Sequence, residues 1–190
     1  YRAYSLSLEP SDFGRLMGDG FDCGAEIIPL KRGVLCQKSV LDSSKVVLTA
    51  KPISGYQVDS WSGCVAPNGI ENCTVTVDQL KSVSVNYVKK KFPLTIIGGN
   101  VGGKVTISVG GINCSENLDA CTKALESGSE VTLTAIPSDI NLAAVWTGCK
   151  PSGVNTCILK ITGESFVSVR YSKKARRLVV EGSSGDGVIT

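Results

Sequence analysis

Eight cysteines and a complete lack of histidine set the chemical range of this 190-residue chain. Imidazole is the usual general acid and base near neutral pH, and the commonest metal ligand. Its absence removes the arrangements on which most hydrolases and metalloenzymes depend. The thiols stand at Cys23, Cys36, Cys64, Cys73, Cys114, Cys121, Cys149 and Cys157, with no Cys-x-x-Cys pair among them. An even count with this spacing fits disulfides better than zinc or redox chemistry. The expected compartment is therefore oxidising: extracellular, secreted or displayed on a cell surface.

Other residue types give weaker signals. Carboxylates are scattered (Asp12, Asp19, Asp22, Glu26, Asp42, Asp59, Glu71, Asp78, Glu116, Asp119), and none forms a calcium-loop spacing. Asp19 with Asp22 suggests turn duty before weak Ca²⁺ binding, so no metal site is expected. "GGNVGG" lacks the helix and lysine of a phosphate cradle, and no Gly-x-Ser-x-Gly elbow or dinucleotide fingerprint appears. No catalytic residue and no cofactor is expected, and the chain reads as non-enzymatic. Asn72-Cys73-Thr74 and Asn113-Cys114-Ser115 match the glycosylation acceptor pattern, but a bonded cysteine in the middle makes both coincidental. Trp61 and Trp146 each precede a cysteine by three positions. They read first as core residues packed on a disulfide, and second as platforms on which a sugar ring stacks. "KKK" at Lys89 to Lys91 and "KKARR" at Lys173 to Arg177 read as solvated linkers before contacts with anionic glycans.

Composition narrows the class further. A hydrophobic share of 42% with 19% charged residues is globular and excludes a disordered chain. A net charge of +3 is too mild to point to nucleic acid, and no apolar run is long enough to span a membrane. With no initiator Met and no leader at Tyr1, the chain is expected to be a processed product or an excerpt of something longer.

The elements that position these residues are written twice. "CQKSVLDSSKVVLTAKP" (Cys36 to Pro52) aligns with "CTKALESGSEVTLTAIP" (Cys121 to Pro137) at an offset of 85 without a gap. "VDSWSGC" meets "AAVWTGC", so Trp61 falls on Trp146. One deletion later, "CTVTVDQLKSVSVNY" matches "CILKITGESFVSVRY", and every cysteine has a counterpart. The first pair of cysteines encloses twelve residues in copy one and six in copy two, as expected of an exposed connection. "LVVEGSSGDGVIT" (Leu178 to Thr190) resembles "LTIIGGNVGGKVTI" and begins a third copy.

Two-residue periodicity marks most segments as strands. Val83, Val85 and Tyr87 share one face of "SVSVNY", as do Val167, Val169 and Tyr171 of "FVSVRY". Further strands are predicted at Tyr4 to Leu8, Lys45 to Ala50, Thr74 to Val77, Leu94 to Ile97, Val131 to Ala135 and Ile158 to Ile161. Only Leu118 to Gly128 suggests a helical turn or two. The domain reading is 1–89 for module one, 90–174 for module two, and 175–190 for the opening strands of a third repeat or a strand donated to a neighbour. Four thiols in a module pair in three ways, and sequence alone does not choose. The expected pairing joins neighbours, because each pair brackets a turn-rich stretch: Cys23–Cys36, Cys64–Cys73, Cys114–Cys121 and Cys149–Cys157.

These motifs resemble the divergent branch of the internalin-type B-repeat family of bacterial surface and secreted proteins. "GINC", Cys121, "VTLTAIP", "WTGC", Cys157 and "FVSVRY" follow its order in copy two. Copy one follows through Cys36, "VVLTAKP", "WSGC", Cys73 and "SVSVNY". The family's Gly-Tyr before the Trp is present at Gly55-Tyr56 and replaced by Ile140-Asn141 in copy two. The resemblance implies tandem β-grasp-like modules; an immunoglobulin-like sandwich is the alternative. The expected role is a structural or adhesive spacer outside the cell. Two further readings remain: a filament subunit pairing with identical subunits through a tail strand containing Leu178, Val179 and Val180, and an adhesin binding a glycan or host receptor.

Overall fold

The computed structural model describes residues 1–25, 33–66, 70–98, 102–109, 113–114 and 120–175. Glu26, Glu116, Asp119, the third-copy signature and the tail residues Leu178, Val179 and Val180 lie outside them. Every regular element in the described residues is a strand. In the first half these are β1 (Ala3–Leu8), β2 (Gly14–Gly18), β3 (Phe21–Gly24), β4 (Gly33–Leu35), β5 (Gln37–Leu41), β6 (Ser44–Pro52), β7 (Tyr56–Ser62), β8 (Asn72–Val77) and β9 (Lys81–Lys89). The second half carries β10 (Lys91–Gly98), β11 (Gly103–Ile107), β12 (Asn113–Cys114), β13 (Ala120–Glu126), β14 (Glu130–Pro137), β15 (Leu142–Thr147), β16 (Lys150–Pro151), β17 (Thr156–Lys160) and β18 (Ser165–Lys173). By contact density the chain divides into two compact units. One is Tyr1–Pro93 with Ala124–Ser129 and Lys160–Glu164; the other is Leu94–Lys123 with Glu130–Leu159 and the strand that begins at Ser165.

The same pair of sheets occurs in each half. A mixed sheet runs β5-β1-β9-β7 in the first and β13-β10-β18-β15 in the second. Its central pair is parallel in both, with Leu6 opposite Lys81 and Leu8 opposite Val83, then Leu94 opposite Ser165 and Ile96 opposite Val167. The companion sheet runs β4-β3-β2-β6-β8 in the first half and β12-β11-β14-β17-β16 in the second. Register matches residue for residue: Leu16 pairs with Cys23 and Ala50, and Val105 pairs with Cys114 and Ala135. The parallel centre is the grasp-like feature, while the second sheet makes each half a two-sheet, all-β body.

Alternation puts the cores where they are. Leu6, Leu48, Val77 and Val83 are fully buried in the first half, as are Leu94, Leu133, Val131 and Ile161 in the second. No polar or charged side chain is buried among the described residues, so the interior side chains pack mainly through apolar area. One expectation is corrected. The predicted helical turn within Leu118 to Gly128 is the strand β13. Its period is two: Cys121, Lys123 and Leu125 are the more sheltered positions, and Leu125 is buried. The backbone pairs with β10, and Thr95 and Thr122 share a hydroxyl hydrogen bond of 3.0 Å. Sheet pairing outweighs the helix propensity of Ala, Lys, Leu and Glu here.

Candidate functional site

The cysteines are the most constrained side chains. Cys23 is bonded to Cys36, Cys64 to Cys73, Cys114 to Cys121 and Cys149 to Cys157. Their Cα atoms are 4.8, 6.0, 5.8 and 5.9 Å apart, within the ordinary range for a disulfide. Position gives them a common task. Cys23 lies on β3 of the companion sheet, and Cys36 immediately precedes β5, an edge of the mixed sheet. Cys73 lies on β8 of the companion sheet, and Cys64 follows β7, the opposite edge of the mixed sheet. In the second half Cys114 on β12 reaches Cys121 on β13, and Cys157 on β17 reaches Cys149 in the short crossing from β15 of the mixed sheet to β16 of the companion sheet. Each half is therefore pinned at both edges by a disulfide where the chain crosses from one sheet to the other.

A tyrosine ties the middle. Tyr87 on β9 donates its hydroxyl to the Arg15 carbonyl on β2 at 3.4 Å, and Tyr171 on β18 donates to the Lys104 carbonyl on β11 at 3.1 Å. Each ring lies against a glycine: a Cβ on Gly14 would fall 2.6 Å from Tyr87 Cε1, and one on Gly103 would fall 2.6 Å from Tyr171 Cζ. Burial pushes the Tyr87 hydroxyl up to about 12 and raises that of Tyr171 as well. The sequence pattern that marks this device is the glycine at the head of "GRL" and of "GKV", both aligned with a tyrosine closing the last strand.

The two tryptophans differ in their surroundings. Trp146 is nine-tenths buried, and its Nε1 has no hydrogen-bond partner among the described residues. Trp61 is partly buried, packs on the first core, and donates Nε1–H to the Ile70 carbonyl at 2.7 Å. It also lines a shallow hollow of 260 Å³ with Asp59, Ser60, Cys64, Ala66 and Ile70. The glycine of each Trp-x-Gly-Cys run has a positive φ, 80° at Gly63 and 89° at Gly148, and faces the carbonyl of Ser82 or Phe166. A side chain at either position would strike that carbonyl, so glycine is required there.

The scattered carboxylates hold local structure. Asp19, at φ 46° in the β2–β3 turn, accepts from the Val47 N–H at 3.1 Å. Asp22 forms a two-pronged ion pair with Arg15. Asp78 accepts from Lys81 at 2.9 Å, and that hydrogen bond holds its carboxyl below the usual range. Among the described residues no group of three metal-ligand side chains comes together, and no helix is long and apolar enough to cross a membrane. Asn72 accepts from the Thr49 hydroxyl at 2.8 Å, beside the bonded Cys73. Lys89 to Lys91 and Lys173 are exposed, as is Lys174, whose Nζ donates to the Ile140 carbonyl at 2.7 Å.

Comparison with known proteins adds three findings. No curated protein matches the chain. Among solved structures, the TIE protein of Bacillus anthracis is similar at 12% identity and a TM-score of 0.46, covering 90% of this chain. This chain spans 34% of the TIE chain's length. GBS52, the minor pilin of the gram-positive pathogen Streptococcus agalactiae, is similar at 11% identity and a TM-score of 0.24, over 94% of this chain and 100% of its own. A family model, that of the divergent InlB B-repeat domain, matches residues 30–91, a span that takes in β4 through β9 with the Trp-x-Gly-Cys run and the tyrosine strand of the first half.

Proposed function

We propose that the chain is a non-enzymatic spacer outside the cell, built from two tandem modules, 1–89 and 90–174, that hold their shape under load. The observation that carries this reading is the double closure of each half, in which two disulfides join the sheets at opposite edges. Small domains with little core are stabilised in this way in oxidising compartments. The strand order supports the same role. The first and last strands of each half, β1 with β9 and β10 with β18, are parallel neighbours. Chain entry and exit then lie at opposite ends of one hydrogen-bonded pair, so a pull on the termini loads all its bonds together in shear.

Force spectroscopy on the chain with and without reductant tests the proposal. The four bonds shorten the extensible chain, with sequence separations of 13, 9, 7 and 8 residues. At about 3.4 Å per extended residue, reduction should lengthen the fully stretched molecule by about 100 Å. Two abrupt unfolding events are expected before reduction. Equal extension in both conditions, together with eight reactive thiols in the native protein, would defeat the reading.

A further inference from the structure

We propose that the hollow beside Trp61 binds a single ring of a neutral sugar, a site the first half has and the second lacks. The irregularity that builds it is a bulge. β7 pairs with β9 in register up to Val58 opposite Tyr87, then resumes one residue later with Ser60 opposite Asn86. Asp59 is the extra residue. A bulge re-aims the side chain it inserts, and bulges are over-represented beside binding sites. Here it places Asp59 on the wall of the hollow, where Oδ2 accepts from Ser60 Oγ at 3.2 Å and from Asn86 Nδ2 at 3.1 Å. Its Oδ1 has no partner among the described residues.

The lining then selects a ligand class. Trp61, Cys64, Ala66 and Ile70 supply apolar surface, and Asp59 and Ser60 supply polar groups on one side. That division suits a pyranose, which has an apolar C–H face and a ring of hydroxyls. The Trp61 indole is fixed by its bond to the Ile70 carbonyl, so little side-chain freedom is lost when a ring lies against it. A carboxylate accepts hydroxyl hydrogen bonds, and no lysine or arginine is among the described residues that line the hollow. Anionic sugars are thus disfavoured. Size sets the scale: 260 Å³ is below the roughly 300–1,000 Å³ of pockets for drug-sized ligands, so one ring fits and an extended oligosaccharide would project outward.

The second half provides the internal control. Its edge strand β15 pairs with β18 without a break from Leu142 to Thr147. Ala144 and Val145 precede Trp146 where Asp59 and Ser60 precede Trp61, and Trp146 is buried.

The two tryptophans make the test direct, because the folded chain gives two indole N–H resonances. The intact chain is titrated with methyl glucoside, methyl galactoside, methyl mannoside and methyl N-acetylglucosaminide, with glucuronate as the anionic control. The expected result is a saturable shift of the Trp61 resonance with at least one neutral sugar, at millimolar concentration, while the Trp146 resonance stays in place. Asp59→Ala, on an exposed bulge, should keep the folded spectrum and weaken binding at least tenfold. The proposal is overturned if no neutral sugar moves the Trp61 signal, if Asp59→Ala binds as well as the parent, or if glucuronate binds as tightly as the neutral rings.

Discussion

The two halves of the chain solve one folding problem with different edges. They share the parallel central pair, the register of the companion sheet, two sheet-to-sheet disulfides and a glycine-seated tyrosine. They differ at the margins. Among the described residues the first half has β4 and a bulge in β7, and the second turns the counterpart of an isolated bridge between Val65 and Thr74 into the short strand β16. What is repeated joins one sheet to the other, and what varies lies on an edge or in a connection. Topology here is set by a few cross-sheet positions. The rest of the surface is free to diverge, because a surface change rarely costs much while a core change does.

The sharpest way to break this comparison is to remove the same core residue from each half. Leu48 and Leu133 occupy equivalent positions on β6 and β14, and both are fully buried. Leu48→Ala and Leu133→Ala should each destabilise by about 2–5 kcal/mol, with hydrogen exchange rising in the substituted half. Similar costs would support equivalence. A much smaller loss at Leu48 would mean that the first half depends on its longer disulfide loop, 13 residues against 7, more than on its core.

The tyrosines give a smaller effect with a definite pH signature. The Tyr87 hydroxyl is held up to about 12 by burial, against about 10 in an unfolded chain. Below pH 10 both states keep the proton and its contribution is whole. Between pH 10 and 12 the unfolded chain ionises while the folded one does not, so stability falls as pH rises. The loss reaches about 2–3 kcal/mol at the upper end. Urea titrations across this range should show Tyr87→Phe removing most of that alkaline decline. Tyr171→Phe should remove less, since Tyr171 is only partly buried. Equal effects would make the two ties interchangeable.

Much of this was legible in the sequence because alternation reports burial directly. "SVSVNY" and "FVSVRY" place Val83, Val85, Val167 and Val169 inside, where they are found. Alternation does not say which strand lies beside which, so the parallel pairing of β1 with β9 had no sequence signal. Nor did it reveal β13, where a period-two pattern is carried by Cys121, Lys123 and Leu125 and two of the three also suit a helix. The bulge at Asp59 was equally hidden, because both copies have the same number of residues between the Pro and the Trp. What differs is how β7 meets β9, a choice made in three dimensions. One mark was legible, though not what it does to the fold: the single deletion between the last two cysteines, which leaves a separation of 8 in the second half against 9 in the first.

That deletion accounts for the different fates of the two tryptophans and leads to the finest test. In the first half the longer connection brings the Ile70 carbonyl to Trp61 Nε1. In the second, the shorter connection folds on itself, with the Ser152 N–H bonded to the Thr156 carbonyl at 3.0 Å and Lys150–Pro151 paired to β17. Among the described residues no carbonyl reaches Trp146 Nε1. Trp61→Phe and Trp146→Phe remove the same ring atoms, and the packing loss is somewhat larger at the more deeply buried Trp146, which narrows the difference set by their N–H groups. Trp61→Phe also forfeits a hydrogen bond, about 0.5–1.5 kcal/mol. Trp146→Phe instead removes an unpaired buried donor, which by itself relieves about 1–3 kcal/mol. Trp61→Phe should therefore be the more damaging substitution by about 2 kcal/mol, measured by urea unfolding with each half followed separately. Equal losses would show that Trp146 Nε1 is satisfied in solution, and that the two connections serve their tryptophans alike.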